Sequence, residues 1–454
     1  MMKLSGKRIL VVGLARSGAA IARFLNARGA QVTVTDKAQA LDLGQRPMEM
    51  EALGIATELG VHNPDSFLKT DLIVLSPGVP HTLPQIKQAM DFSVPVMGEI
   101  ELASMFIKEP IIAVTGTNGK TTTTTLISLM LEESGFKVFT GGNIGNPLTE
   151  YIELETPSDL VVVELSSFQL DTIKRFRPKI AVLLNITEDH LDRYASFEAY
   201  TRSKGRIFEN QEMDDIAIIN GDDPTSLSMG KILQNRKYTF GAGGSGYSAV
   251  ISRKKITLNL PGCDTMVLDL SQAKLMGNHN RENIAAAALA TLSAGGKLES
   301  IQTVVDTFEG LPHRIQHIGT IRGIDWYNDS KATNMDAVVR ALDAFDSPLI
   351  LILGGRNKGG SFLALKDGIL KSTRTVVAMG ESAKEIKNTL SPFIKVIEAQ
   401  NMEEAVALSY GEAKEGDKVL FSPACSSFDM FTNYEHRGHV FADAVKQLKE
   451  DIHA

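Results

Sequence analysis

The stretch Pro110-Ile111-Ile112-Ala113-Val114-Thr115-Gly116-Thr117-Asn118-Gly119-Lys120-Thr121-Thr122 decides how this chain is read. Its apolar first half reads as a buried strand, and Thr123 to Glu133 beyond it reads as a helix. Strand, Gly-rich turn, Lys-Thr and helix form the layout of a phosphate cradle. Backbone N–H groups of the turn face the anion, Lys120 adds a point charge, and the Thr121 hydroxyl suits Mg²⁺. The full G-x-x-x-x-G-K-[ST] pattern needs Gly at 114, where Val114 stands, so the loop is a variant P-loop.

On the N-terminal side a second nucleotide-type unit precedes it. Lys7 to Val12 is a strand, Gly13-Leu14-Ala15-Arg16-Ser17-Gly18 a turn, Ala19 to Arg28 a helix, and Gln31 to Thr35 a strand ending at Asp36. That is a βαβ unit of Rossmann type, with Ala15 where G-x-G-x-x-G has its middle Gly and Asp36 near the usual distance of a ribose-binding acid. Leu72 to Leu75, followed by Ser76-Pro77-Gly78, joins the same sheet. On the C-terminal side, strands and helices alternate through Leu160–Leu165, Ile180–Ile186 and Ile216–Asn220, with a β-rich patch from Tyr238 to Leu270 and an Ala-rich helix from Asn280 to Ala294. A further α/β unit opens at Leu311-Pro312-His313-Arg314. Its strands are Asp325–Asn328, Leu349–Leu353, Val376–Met379 and Lys418–Phe421. The fold class is therefore α/β with three domains: a Rossmann-like domain over 1–109, a central P-loop mononucleotide-binding domain over 110–310, and a C-terminal Rossmann-like domain over 311–454.

Composition agrees with that division. A chain of 454 residues exceeds one ordinary core, and roughly 150 residues per domain gives about three. With 43% hydrophobic and 22% charged residues it is an ordinary globular chain, and its net charge of −7 argues against a general nucleic-acid binder. Cys263 and Cys425 make neither a disulfide framework nor a metal quartet, which suits a reducing cytosol. The basic start, Lys3, Lys7 and Arg8, imitates a signal peptide, but its apolar run ends at Gly13. No apolar run reaches the length of about 18 residues that a membrane span needs.

Polar groups gather at strand ends, where open α/β sheets bind ligands. Glu164 closes one strand and suits either Mg²⁺ binding or a helix N-terminus. His190, in Asn185-Ile186-Thr187-Glu188-Asp189-His190-Leu191-Asp192, ends another. Lys204 lies on a helical stripe with Phe197, Tyr200, Ile207 and Phe208. By position it either snorkels or is specially paired. A buried lysine has a depressed pKa and can form a carbamate with CO₂, an anion able to bind metal. The third unit contributes Asn328-Asp329-Ser330-Lys331-Ala332-Thr333-Asn334, Gly354-Gly355-Arg356-Asn357-Lys358-Gly359-Gly360 and Ser422-Pro423-Ala424-Cys425-Ser426-Ser427-Phe428-Asp429. Together these form a rim of cations and hydroxyls suited to carboxylates and phosphates.

The ordered motifs resemble the Mur ligase family, the ATP-dependent amide-forming enzymes of peptidoglycan precursor synthesis, over essentially the whole chain. An Asp-Asn-Pro-Arg motif of the diaminopimelate- or lysine-adding members is absent. The L-alanine-adding members typically have His before the second P-loop Gly, where Asn118 stands. The resemblance thus implies the D-glutamate-adding reaction, with UDP-N-acetylmuramoyl-L-alanine and D-glutamate as partners, ATP and Mg²⁺ as cofactors, and a cytoplasmic monomer. It assigns Arg16, Ser17, Asp36, Pro77, Gly78, Asn143 and His190 to the UDP-sugar. Gly116, Thr117, Asn118, Gly119, Lys120, Thr121, Thr122, Asn280, Asn283, Arg314, Asp329 and Lys331 are assigned to ATP. Thr333, Lys358, Ser427, Phe428 and Tyr434 fall to D-glutamate. Metal ligands are implied at Thr121, Glu164, His190 and a carbamylated Lys204, and catalysis at Lys120, His190 and Lys204. Ala15, Tyr434 and Arg356 depart from the family pattern.

Two other classes compete on the residues alone. A non-catalytic nucleotide-binding regulator would keep the P-loop but need neither His190 and Lys204 nor the third-unit clusters. An NAD-dependent oxidoreductase would rest on the first βαβ unit, whose fingerprint lacks its middle Gly.

Overall fold

The computed structural model describes residues 2–154, 156–190, 193–345 and 348–453; Leu191 and Asp192 of the His190 motif lie outside the described residues. Three sheets follow one another along the chain. The first is fully parallel, in the spatial order Ala56–Leu59, Gln31–Asp36, Arg8–Val12, Leu72–Leu75, Val96–Gly98. Its order reverses between Arg8–Val12 and Leu72–Leu75. The turns after those two strands, Gly13–Ser17 and Ser76–Gly78, therefore face one crevice.

The second sheet runs Met266–Asp269, Lys255–Leu258, Ala249–Ile251, Arg236–Gly241, Ile216–Asn220, Ile180–Leu183, Ile111–Thr115, Leu160–Glu164, Val138–Gly142. Only the pairings at the Met266 end are antiparallel. Ile111–Thr115 and Leu160–Glu164 are buried along their whole length, as parallel strands covered on both faces must be. One face packs the helices Lys120–Glu133, Asn278–Ser293 and Leu298–Thr307, and the other packs Leu148, Leu170, Phe176 and Tyr200. The order of connection reverses between the parallel neighbours Ile111–Thr115 and Ile180–Leu183, so the P-loop and the Asn185–His190 loop lie side by side.

The third sheet runs Gln316–Ile321, Ile324–Asn328, Lys418–Phe421, Leu349–Gly354, Thr373–Met379, Lys395–Ala399, with the first pairing antiparallel. Ile324–Asn328, Lys418–Phe421 and Leu349–Gly354 are parallel neighbours, which brings the three polar clusters of this unit to one edge. The chain is thus the three-sheet α/β protein that its alternating pattern implies. Among the described residues no helix is long and apolar enough to cross a membrane.

Candidate functional site

The P-loop turns through Gly119 at φ 87°, and a Cβ there would stand 2.3 Å from Asn283 Oδ1, so only glycine fits. The helix Lys120–Glu133 begins at the lysine, and no side chain caps it, which leaves its first N–H groups available to an anion. Asn185 locks the loop: its carbonyl accepts from Thr117 N–H at 2.9 Å and its Oδ1 from Asn118 N–H at 2.9 Å. Tyr200 Oη lies 3.1 Å from Thr117 Oγ1. The sequence reading missed both residues. Asn185 was visible as the polar residue at its strand end, and Tyr200 only as part of an apolar stripe.

Lys204 does not snorkel. It is 2% exposed, and its Nζ donates to Gly116 O at 2.7 Å. Lys120 Nζ donates to the same carbonyl at 2.9 Å and to Thr117 O at 2.7 Å. Burial drives Lys204 well below the ordinary lysine range, and Lys120 adds to the effect. Lys120 and Arg314 are also lowered by burial, and burial followed by Arg314 brings Lys331 down to about 8. Four crowded cations are a standing site for a polyanion.

Glu164 faces this group. Its Oε1 accepts from Asn143 Nδ2 at 2.7 Å, while its Oε2 is buried without a hydrogen-bond partner among the described residues. His190 sits at φ 55°, a left-handed conformation uncommon for a side-chain-bearing residue, with its ring 4.9 Å from that of Phe168. Burial lowers its pKa, against the opposing pull of Asp189. Among the described residues no three His, Cys, Asp or Glu side chains form a ready metal cluster. A buried carboxylate oxygen without a partner among the described residues nevertheless fits an oxygen-seeking divalent cation.

The third sheet closes over the P-loop. Arg314 Nη2 donates to Thr121 Oγ1 at 2.8 Å, Asn118 Nδ2 to Asp336 Oδ2 at 2.7 Å, and Asn334 Nδ2 to Asp189 Oδ2 at 3.0 Å. A cavity of about 70 Å³ at this junction is lined by Asn118, Gly119, Thr122, Asn280, Asn283, Arg314, Asp329 and Lys331, all assigned to ATP by resemblance. His279, beside Asn280, also lines it and is held down to about 4 by burial and by Arg340. Asp329 accepts from Ser422 Oγ at 2.8 Å, and burial raises its carboxyl to about 7. A second cavity of about 280 Å³ joins His190 to Thr333 and Lys358, with Asp189 and Asn334. Ser427, Phe428 and Tyr434 do not line it. Ser427 is buried, Phe428 is 64% exposed, and the Tyr434 ring lies 3.6 Å from Lys331 Nζ. Arg356 pairs with Glu381 at 2.8 Å, away from both cavities.

In the first sheet, Asp36 is engaged by backbone: its oxygens accept from Leu14 N–H at 2.6 Å and Ala38 N–H at 2.8 Å. It braces the turn that presents Arg16 and Ser17. Arg16 hydrogen-bonds Asn146 and lies 3.5 Å from Glu150, so it already bridges to the loop carrying Asn143. Pro77 and Gly78 stand in the adjoining turn at the crevice.

Known proteins match the chain throughout. The family model of the Mur ligase MurD-like N-terminal domain matches residues 7–98, that of the Mur ligase middle domain 114–291, and that of the Mur ligase glutamate ligase domain 313–425. A UDP-N-acetylmuramoylalanine–D-glutamate ligase of Desulfosudis oleivorans is 48% identical over 454 residues, covering 100% of this chain and 99% of that one. Its counterpart in Desulfatibacillum aliphaticivorans is 46% identical over 448 residues, covering 98% and 100%. In fold, the chain is similar to a pseudomurein peptide ligase type C from Methanothermus fervidus, with a TM-score of 0.63 at 20% identity over 98% of this chain and 100% of that one.

Proposed function

We infer the chemistry from one premise: the chain belongs to the Mur ligase family. It is an ATP-dependent ligase that joins D-glutamate to UDP-N-acetylmuramoyl-L-alanine in peptidoglycan synthesis. The observation that carries the site reading is the meeting of the P-loop with Arg314, Asp329 and Lys331 at one cavity, beside a second cavity holding His190, Thr333 and Lys358.

A carboxylate is a poor electrophile, so it must first be activated. Its oxygen attacks the γ-phosphorus of ATP, the bond to the β-phosphate bridging oxygen breaks, and ADP leaves. The glutamate amine then adds to the acyl phosphate carbon, loses a proton, and the C–O bond to phosphate breaks. All participants are anionic. Lys120, Arg314 and Lys331 supply the opposing charge, with the N–H groups at the start of Lys120–Glu133. Thr333 and Lys358 bind the carboxylates of D-glutamate. Arg16, Ser17, Pro77, Gly78 and Asn143 line the sugar-nucleotide crevice, and Asp36 braces it.

Thr121, Glu164 and His190 would hold Mg²⁺, and Lys204 would add a fourth ligand if its amine added to CO₂ and released a proton to become a carbamate. When bound, the ion neutralises phosphoryl oxygens. The test is phosphate release with UDP-N-acetylmuramoyl-L-alanine and ATP against D-glutamate, L-alanine and diaminopimelate. D-Glutamate alone should support turnover; equal turnover with diaminopimelate would reassign the amino-acid specificity.

A further inference from the structure

Two buried carboxylates lie outside the chemistry just described. The short helix Glu99–Ser104 ends the first unit and carries Glu99, 2% exposed, and Glu101, fully buried. Both point into the second unit. Glu99 Oε1 accepts from Thr149 N–H at 2.7 Å, in the first turn of the helix Leu148–Tyr151. Glu101 accepts from Lys174 N–H at 2.8 Å, from Arg175 N–H at 3.0 Å on both oxygens, and from Phe176 N–H at 3.0 Å. A third contact seals the seam: a Cβ on Gly98 would stand 2.2 Å from Thr172 Oγ1.

The clamped segments are those that follow the site-bearing loops. Leu148–Tyr151 comes directly after Asn143–Pro147, whose Asn143 holds Glu164. Lys174–Phe176 comes after the Ser166–Gln169 capping box that follows Glu164. The first unit grips Leu148–Tyr151 from a second direction as well, through Arg16 and Arg23 on Glu150. Carboxylates held by backbone N–H groups make rigid, direction-specific contacts.

We propose that Glu99 and Glu101 form a two-point joint that fixes the first unit on the second and so presets the sugar-nucleotide crevice, making them positioning residues for the carboxylate that is activated. The proposal rests on the ligase reading for its substrate. The two carboxylates differ in what they can tolerate. Glu99 accepts from backbone N–H at the start of Leu148–Tyr151, with Thr149 N–H on its Oε1, and Gln keeps an amide oxygen for that acceptor role. Glu101 takes N–H groups on both oxygens, and the NH₂ of Gln would face a donor.

The experiment compares Glu99→Gln, Glu99→Ala and Glu101→Gln by steady-state phosphate release and by amide hydrogen exchange. Glu101→Gln and Glu99→Ala should raise KM for the sugar nucleotide about tenfold or more, as expected when a charge-assisted contact is lost. KM for ATP should stay within about twofold, and Glu99→Gln should behave as wild type. Exchange should quicken at 174–176 in Glu101→Gln and at 149 in Glu99→Ala. Faster exchange with no KM change, or equal rises in both KM values, would overturn the positioning role. Should Glu101→Gln fail to fold, the Glu99 pair decides by the same split. Absence of turnover in wild type would instead sink the ligase reading, and the exchange data would still judge the joint.

Discussion

Lys120 and Lys204 donate to one acceptor, the carbonyl of Gly116, at 2.9 and 2.7 Å. Two ammonium groups at one buried oxygen repel each other, and burial penalises both. The arrangement relaxes if one lysine is neutral, or if one becomes an anion. Lys120 opens the helix that follows the P-loop, whereas Lys204 belongs to a separate helix, Phe197–Gly205. Burial lowers Lys204 well below the ordinary lysine range, and the proposed carbamate assigns the change of chemistry to it.

Lys204→Arg tests this. Arginine keeps a cation but cannot deprotonate to form a carbamate. Turnover should fall about a hundredfold or more, the range for losing one group of an electrostatic site. The fold should persist, read from the fluorescence of the buried Trp326. Small carboxylates should restore part of the activity to Lys204→Ala by occupying the vacated anionic position. Wild-type turnover in Lys204→Arg would return the residue to a structural role.

Much of this architecture was legible because parallel strands covered on both faces read as apolar runs, and their polar ends mark the ligand edge. Ile111–Thr115 with its P-loop, Leu160–Glu164 and Lys418–Phe421 are of that kind. What escaped was long-range. Asn118 meets Asp336 across 218 positions, and nothing local to Asp336 sets it apart from any acid in a helix's first turn. Asp36 shows the opposite limit. Its distance from the Gly-rich turn suggested a ribose-binding acid, but only the fold shows its carboxylate occupied by backbone N–H groups. The burial of Lys204 was likewise hidden, since a stripe does not reveal whether its helix is roofed.

Lys358 lines the cavity of about 280 Å³ with Thr333 and His190, whereas the smaller cavity holds the P-loop residues. A lost charged hydrogen bond costs roughly 1.5–3 kcal/mol, or about 10- to 150-fold. Lys358→Ala should raise KM for D-glutamate by that order and leave KM for ATP nearly unchanged. A matching rise for ATP would move Lys358 to the nucleotide.

With ATP assigned to the junction cavity, nucleotide entry requires the third sheet to open. The junction cavity of about 70 Å³ is far below the roughly 300 Å³ or more of small-molecule pockets. Asp336 bridges the second and third units by accepting from Asn118 at 2.7 Å, and Arg340, one turn on in its own helix, donates to the same oxygen at 2.8 Å and orients it. Asp336→Ala should enlarge the radius of gyration of the nucleotide-free protein in X-ray scattering and speed ATP association in stopped flow. Unchanged scattering and association would mean that closure is held by the remaining contacts, Arg314 on Thr121 and Asn334 on Asp189.

Glu99 gives a pH-dependent stability with a definite sign. Burial raises its carboxyl from 4.5 to about 7, against the opposing pull of the Thr149 and Leu148 hydrogen bonds. Between those values the folded chain holds a proton that the unfolded chain has lost, so this group's contribution falls as pH rises through the window. A shift of that size corresponds to at most ~3 kcal/mol. Glu99→Gln cannot ionise and so removes the slope. The difference in unfolding free energy, mutant minus wild type, should climb in the mutant's favour from pH 5 to pH 7.5 and then level off, measured by urea titration with Trp326 fluorescence. Thr149 and Leu148 act on Glu99 through hydrogen bonds, and Glu150 acts as a nearby charge that pushes the same way as burial. Glu150→Gln should therefore reduce the wild-type slope without abolishing it. A flat difference across this range would mean that Glu99 stays ionised in the fold, held so by the Thr149 N–H, and that its charge rather than its shape makes the joint.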